Sequence, residues 1–174
     1  FSHMAVMYAN ALYKRGFIKE GYKVLKNLLD SAMDFESSIM YPGIPEYFDN
    51  DGRGLYAYLT GAASWYMLTM ITEVFGVRGE LGNLVIKPAL LPEQFDKDGK
   101  AAIKLNFSGR TLKITIHADI DNIQDNNGVY NKIIRVECDG NELESADLKK
   151  VVIMKKRIEE MSCERCHEID VFIK

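Results

Sequence analysis

The sequence predicts an α+β chain, helical over residues 1–81 and mainly strand over 82–174. Three observations carry that reading. Apolar residues recur every three or four positions as far as Phe75 and every second position beyond Gly82. The stretch from Ala62 to Phe75 is apolar around nearly its whole circumference, the pattern of a helix enclosed by protein on every side. Ser108-Gly109 separates two alternating runs, as expected for a hairpin with one buried face. The junction falls near Gly76–Gly82, where two glycines flank Val77-Arg78.

Met4, Met7, Tyr8, Ala11 and Leu12 fall on one face of a first helix that ends near Gly16. In a second helix, Ile18, Tyr22, Leu25, Leu28, Leu29, Ala32 and Met33 form a stripe. Lys19, Glu20, Lys23, Lys26 and Asn27 oppose it, so this helix should be half solvated. A loop rich in Gly, Pro, acid and aromatic residues, Pro42 to Tyr58, then leads to a third helix over about Gly61 to Phe75, with Gly76 as its left-handed stop. Leu84-Val-Ile86 precedes Pro88. Ile103, Leu105 and Phe107 pair with Leu112, Ile114 and Ile116 across the Ser108-Gly109 turn. Ile134 to Gly140 gives another strand and turn, and Val151–Met154 and Ile169–Ile173 are closing strands. Asp119–Gly128 is expected to be a surface loop. Residues 82–174 therefore read as a small antiparallel β-domain, a sandwich rather than an isolated sheet.

The chain has 174 residues, 47% hydrophobic and 27% charged, with a net charge of −3. This suits a soluble globular protein of one domain or two small ones, with no basic footprint for nucleic acid. Thr69, Thr72, Glu73 and Arg78 interrupt the longest apolar run, so no membrane span is expected. The first residues show no signal-peptide pattern. Phe1-Ser-His3 is not a natural beginning, and helical periodicity is already running at Met4, so the chain is expected to be a fragment. Cys138, Cys163 and Cys166 are odd in number, which fits a reducing, cytoplasmic compartment. Cys163-Glu-Arg-Cys166-His167 has the C-x-x-C-H form of haem attachment and could be half of a zinc site. No second Cys or His pair accompanies it, so a solvated turn is expected there, without metal or cofactor.

Thr60-Gly61-Ala62-Ala63-Ser64 places a hydroxyl and small residues at a helix start. Unpaired backbone N–H groups with little side-chain bulk can hold an anion there; the other reading is an ordinary N-cap. His3, also at a helix start, is by itself as well read as a surface residue.

The segment carries a resemblance. Gly43-Ile-Pro-Glu-Tyr47, Gly52-Arg-Gly54, Tyr58-Leu-Thr-Gly-Ala-Ala-Ser-Trp65 and Leu68-Thr-Met-Ile-Thr-Glu-Val-Phe-Gly76 resemble the C-terminal part of the cellobiose phosphorylase family. The likeness continues through Gly79-Glu-Leu-Gly-Asn-Leu-Val-Ile-Lys-Pro88 and Leu91-Pro-Glu-Gln-Phe95. Phe1-Ser-His3 resembles the end of the family's Gly-Ile-Phe-x-His motif. It covers about residues 1–96, and several motifs in order are more specific than any one.

The resemblance implies the last helices of an (α/α)6 catalytic barrel over 1–81, followed by a C-terminal antiparallel β-sandwich over 82–174. It implies an inverting glycoside phosphorylase, using inorganic phosphate as co-substrate and no cofactor. The substrate would be a β-linked glucoside or β-glucan oligosaccharide, the product a sugar 1-phosphate. The forms around Glu46 and Arg53 look closer to members acting on β-glucan oligomers. His3, Thr60 and Gly61 match positions that contact phosphate, and Arg53 and Glu46 are candidate further contacts with phosphate or sugar. Tyr47, Phe48, Tyr56 and Tyr58 either stack on sugar rings or pin the loop. The catalytic acid, an aspartate in a segment with an adjacent tryptophan, is expected upstream; the chain's single Trp is Trp65, and no catalytic residue is assigned here. Partners would be the rest of the same protein and, in keeping with the family reading, a second copy in a homodimer. The alternative is a non-catalytic carbohydrate-binding or interaction module.

Overall fold

The computed structural model of the chain describes residues 1–40, 43–56, 61–118, 132–143 and 149–174. Its contacts divide it into two units, Phe1–Glu73 and Val74–Lys174. The predicted surface loop 119–128 lies outside the described residues.

In the first unit, α1 (Ser2–Lys14) and α2 (Ile18–Met33) pack together, with α4 (Gly61–Thr69) also against α1. A short α3 (Phe35–Ser38) and a small hairpin, β1 (Tyr47–Phe48) and β2 (Gly54–Leu55), lie between α2 and α4 in the chain. α2 is half solvated as its pattern predicts, burying Gly21, Leu25, Leu28 and Ala32. α1 departs from expectation. Its buried residues are Val6, Ala9, Asn10 and Tyr13, together with Ser2, while Met4 (63% exposed), Met7 and Tyr8 face outward. The physical reason is close approach. A Cβ at Gly21 would stand 2.6 Å from the Tyr13 ring and 3.2 Å from the Ala9 carbonyl, so the α1–α2 contact selects the face with the small residue.

α4 continues into a π-helical turn, Met70–Val74. The neighbours that its apolar circumference calls for are not among the described residues. Met67 is 60% exposed and Leu68 is also outward, whereas Ala62 and Thr69 are fully buried. Asn10 Nδ2 donates to Thr69 Oγ1 at 3.1 Å, and Lys14 Nζ lies 4.0 Å from the buried Glu73 carboxylate. These polar links fix the register of α4 along α1.

In the second unit, Val77–Glu80, expected with the helices, forms β3 and pairs antiparallel with β4 (Asn83–Ile86). Gly76, at φ +67°, makes this possible: a Cβ there would sit 1.8 Å from the Lys87 carbonyl oxygen. β9 (Val151–Ile153) completes a three-stranded sheet in the order β3-β4-β9. A five-stranded sheet runs β5-β6-β10-β7-β8, formed by Lys100–Phe107, Arg110–Ala118, Cys166–Ile173, Ile133–Cys138 and Asn141–Glu142. The predicted hairpin is present in register, Leu105 opposite Leu112, and turns at Ser108 and Gly109, both with positive φ. Leu112, Ile114 and Ile116 of β6 and Ile169 and Val171 of β10 are fully buried in the five-stranded sheet.

The antiparallel expectation needs correction. β10 pairs antiparallel with β7 but parallel with β6, Cys166 opposite Thr111 through Ile173 opposite Ala118. β10 enters the sheet only after β7, β8, β9 and a helix α5 (Lys155–Glu160) have intervened, so its direction is set by that crossover and not by a hairpin. α5 itself has no counterpart in the sequence reading. It begins with the Lys155 amide on Asn83 Oδ1 at 2.8 Å and buries Ile158. Among the described residues, no helix is long and apolar enough to cross a membrane.

Candidate functional site

The start of α1 gathers several of the predicted residues. The Ser2 amide donates to the Glu46 carbonyl at 2.7 Å, joining the small hairpin to the first turn of α1. Phe1 meets Tyr47 edge to face at 5.0 Å, and Tyr47 meets Tyr56 in the same way at 5.1 Å. Tyr47 therefore packs on both Phe1 and Tyr56, while Tyr56 stays 53% exposed and Tyr58 lies outside the described residues.

His3 lies against Gly61. A Cβ at Gly61 would stand 2.6 Å from His3 Nδ1 and 2.7 Å from its Cε1, so only glycine lets the imidazole rest on the first residue of α4. Trp65, one turn further along α4, sits 6.0 Å from the imidazole, ring centre to ring centre. No acidic residue occupies the first turn of α4, where a carboxylate would meet the positive end of its dipole. His3 Nε2 and the neighbouring Ser2 Oγ are buried and have no hydrogen-bond partner among the described residues. Buried polar groups are normally bonded, and an orphaned one points to a partner outside the described residues.

The structure thus brings His3 and Gly61 together and places the Glu46 backbone at the start of α1. Thr60 lies outside the described residues. Arg53 is not brought to His3 by any bond among the described residues. Its backbone is tied to Asp49, whose Oδ1 accepts from the Arg53 amide at 2.9 Å and the Asp51 amide at 3.0 Å, and its side chain is exposed. Glu46 contributes backbone contacts, donating to the Leu55 carbonyl at 3.2 Å. Sequence reasoning does not single out Ser2 or Trp65 as site residues. Ser2 stands beside His3 in the sequence, and that hydroxyl–imidazole pair at a helix start is the available signal.

Elsewhere in the first unit, Tyr66 reaches toward the Leu25 carbonyl at 3.5 Å, and burial, helped by Tyr22 and Asp30, pushes its phenol up to about 12. It is a neutral packing group at any ordinary pH.

The C-x-x-C-H segment is not the solvated turn expected throughout. Cys163 and Cys166 are exposed, but His167 is a buried residue of β10 with both ring nitrogens in hydrogen bonds. Among the described residues no group of three or more His, Cys, Asp or Glu side chains is arranged to hold a metal. The sequence matches no protein-family model and no curated protein.

Proposed function

We propose that this chain is the C-terminal part of an inverting glycoside phosphorylase, cleaving a β-linked glucoside or β-glucan oligosaccharide with inorganic phosphate to give a sugar 1-phosphate. The observation that carries the reading is the His3 imidazole laid on Gly61 at the start of α4, with a buried nitrogen that no described residue satisfies. A phosphate dianion needs donors at close range from more than one side. A helix start without carboxylates, a glycine that admits the ligand to the backbone, and an imidazole from a second helix are such a set.

In this reading His3, the Thr60 hydroxyl and the Gly61 amide hold the phosphate, with Arg53 a candidate further contact. Phosphate oxygen forms a bond to the anomeric carbon on the face opposite the glycosidic oxygen. The glycosidic C–O bond breaks, and an upstream aspartic acid gives its proton to the leaving oxygen. The configuration inverts and no general base is needed, because phosphate is already the anion. The helices of Phe1–Glu73 are the last helices of an (α/α)6 barrel in this reading, and the two sheets of Val74–Lys174 its C-terminal sandwich. Three unbridged cysteines suit a cytoplasmic setting.

The test is kinetic, on the full-length enzyme carrying His3→Ala or Thr60→Ala. Each lost charge-assisted bond is worth about 1.5–3 kcal/mol, so the phosphate KM should rise roughly ten- to a hundredfold while the glycoside KM holds. Unchanged phosphate KM and kcat in both variants would remove these residues from the site.

A further inference from the structure

We propose that His167 is a proton-dependent clasp, tying the turn after α5 to the β7–β8 turn when its imidazole is doubly protonated and releasing one end when that proton leaves. The proposal rests on the second unit alone and is independent of the phosphorylase reading.

His167 is 2% exposed. Its Nδ1 lies 2.7 Å from Asp139 Oδ2, and its Nε2 lies 3.0 Å from the Ser162 carbonyl oxygen. A backbone carbonyl only accepts, and an ionised carboxylate only accepts. A neutral imidazole has one N–H to give, so both bonds exist together only in the imidazolium form.

Asp139 is the fixed end. It sits in the β7–β8 turn at φ +50°, followed by Gly140 at +75°. Its Oδ1 accepts from the Glu168 amide at 3.0 Å and its Oδ2 from Arg165 Nη2 at 2.8 Å as well as from His167. Burial works to raise the Asp139 carboxyl, but the His167 bond, the Glu168 amide and the His167 and Arg165 charges outweigh it and hold it below the usual range. The Ser162 end is held more loosely, with Arg110 Nε reaching the adjacent Met161 carbonyl at 3.4 Å. It belongs to the short segment between α5 and β10, where Ser162 Oγ accepts only from the Glu164 amide at 3.1 Å. Loss of the imidazolium proton therefore frees the Ser162 end first.

β6 brings Arg110, which reaches the Met161 carbonyl at 3.4 Å and the Glu159 carbonyl at 3.0 Å. α5 brings Arg157 and Glu160, the turn brings Arg165, and β7 brings Cys138. Burial, with Asp139, pushes the Cys138 thiol up against the opposing pull of Arg157 and Arg165, so it stays neutral and does not replace the imidazolium as the titrating group. Cys138, Arg157, Glu160 and Arg165 line a cavity of about 350 Å³, whose rim includes Ser162. As pH falls, the two-bond arrangement persists until the depressed Asp139 carboxyl takes up a proton.

The test is NMR on the whole chain between pH 5.5 and 9, reading the His167 ring nitrogens and amide-exchange protection of residues 161–166, corrected for intrinsic rates. The proposal expects two protonated ring nitrogens at the acid end and one at the alkaline end. Protection of the turn should fall about tenfold across the same transition, as loss of a charge-assisted bond implies. His167→Gln, which cannot titrate, should remove that step. If that variant does not fold, the wild-type nitrogens still decide. A lone-pair nitrogen at pH 5.5, two protonated nitrogens throughout, or protection that ignores the His167 transition would each overturn the clasp.

Discussion

The two units bury their apolar residues to very different degrees. In Val74–Lys174 the alternating faces of β6, β10 and β4 are closed, with Leu84, Ile86, Leu112, Ile114, Ile116, Ile169 and Val171 essentially inaccessible. In Phe1–Glu73 the buried residues form a seam between α1, α2 and α4, while Phe1, Met4, Tyr8, Ile39 and Met67 stand outward. Polar groups follow the same division: His167 uses both ring nitrogens, whereas His3 Nε2 and Ser2 Oγ find no partner among the described residues. A sheet closes its core by pairing alternate faces within one stretch of chain. Helices that are apolar on more than one side are built for more neighbours than this seam supplies.

Three sets of substitutions probe that division. The largest effect should come from Ile114→Ala in the closed core. Deleting a buried branched side chain costs about 2–5 kcal/mol, so the denaturant midpoint of the second unit should drop steeply. A change under about 0.5 kcal/mol would show that this core is not packed as described. Next is Asn10→Ala, which leaves the buried Thr69 hydroxyl without its partner and should cost about 1–3 kcal/mol in the helical unit. An unaltered unfolding curve there would mean that Asn10 and Thr69 do not hold α4 on α1. The smallest should be Met4→Ser with Met67→Ser, which touch outward positions and should stay within about 0.5 kcal/mol. Because contiguous exposed apolar surface promotes association, the same double variant should lower dye binding and self-association on a sizing column. A loss above about 1 kcal/mol would place these methionines in a core.

Local pattern made much of this legible. Alternation plus a two-residue turn located the β5–β6 hairpin to its register, and three-and-four spacing gave α2 its wet and dry faces. Three features were hidden for physical reasons. α1 is apolar on two sides, so periodicity could not choose between Met4–Met7–Tyr8 and Val6–Ala9–Tyr13; the close approach at Gly21 chose. α5 shows one buried Ile158 among five charged residues, a pattern no different from a solvated link. The partner of β10 depends on pairing across 55 positions, from Thr111 to Cys166, and no local signal encodes that. For the candidate site, periodicity placed His3 and Gly61 at two helix starts, but only the packing of α1 on α4 shows the imidazole resting on the glycine.

The central place of β10 in its sheet bears on how the second unit folds. β6 and β7 do not pair with each other; each bonds to β10. Until β10 docks, this sheet can hold only a β5–β6 hairpin and a β7–β8 hairpin, each with an open edge. Closing those edges requires a parallel pairing between distant positions, which is entropically late and slows the search. The interval before docking is then the period of greatest exposure to edge-to-edge association, and conditions that weaken the long-range β6–β10 pairing should lower refolding yield before they change the folded state.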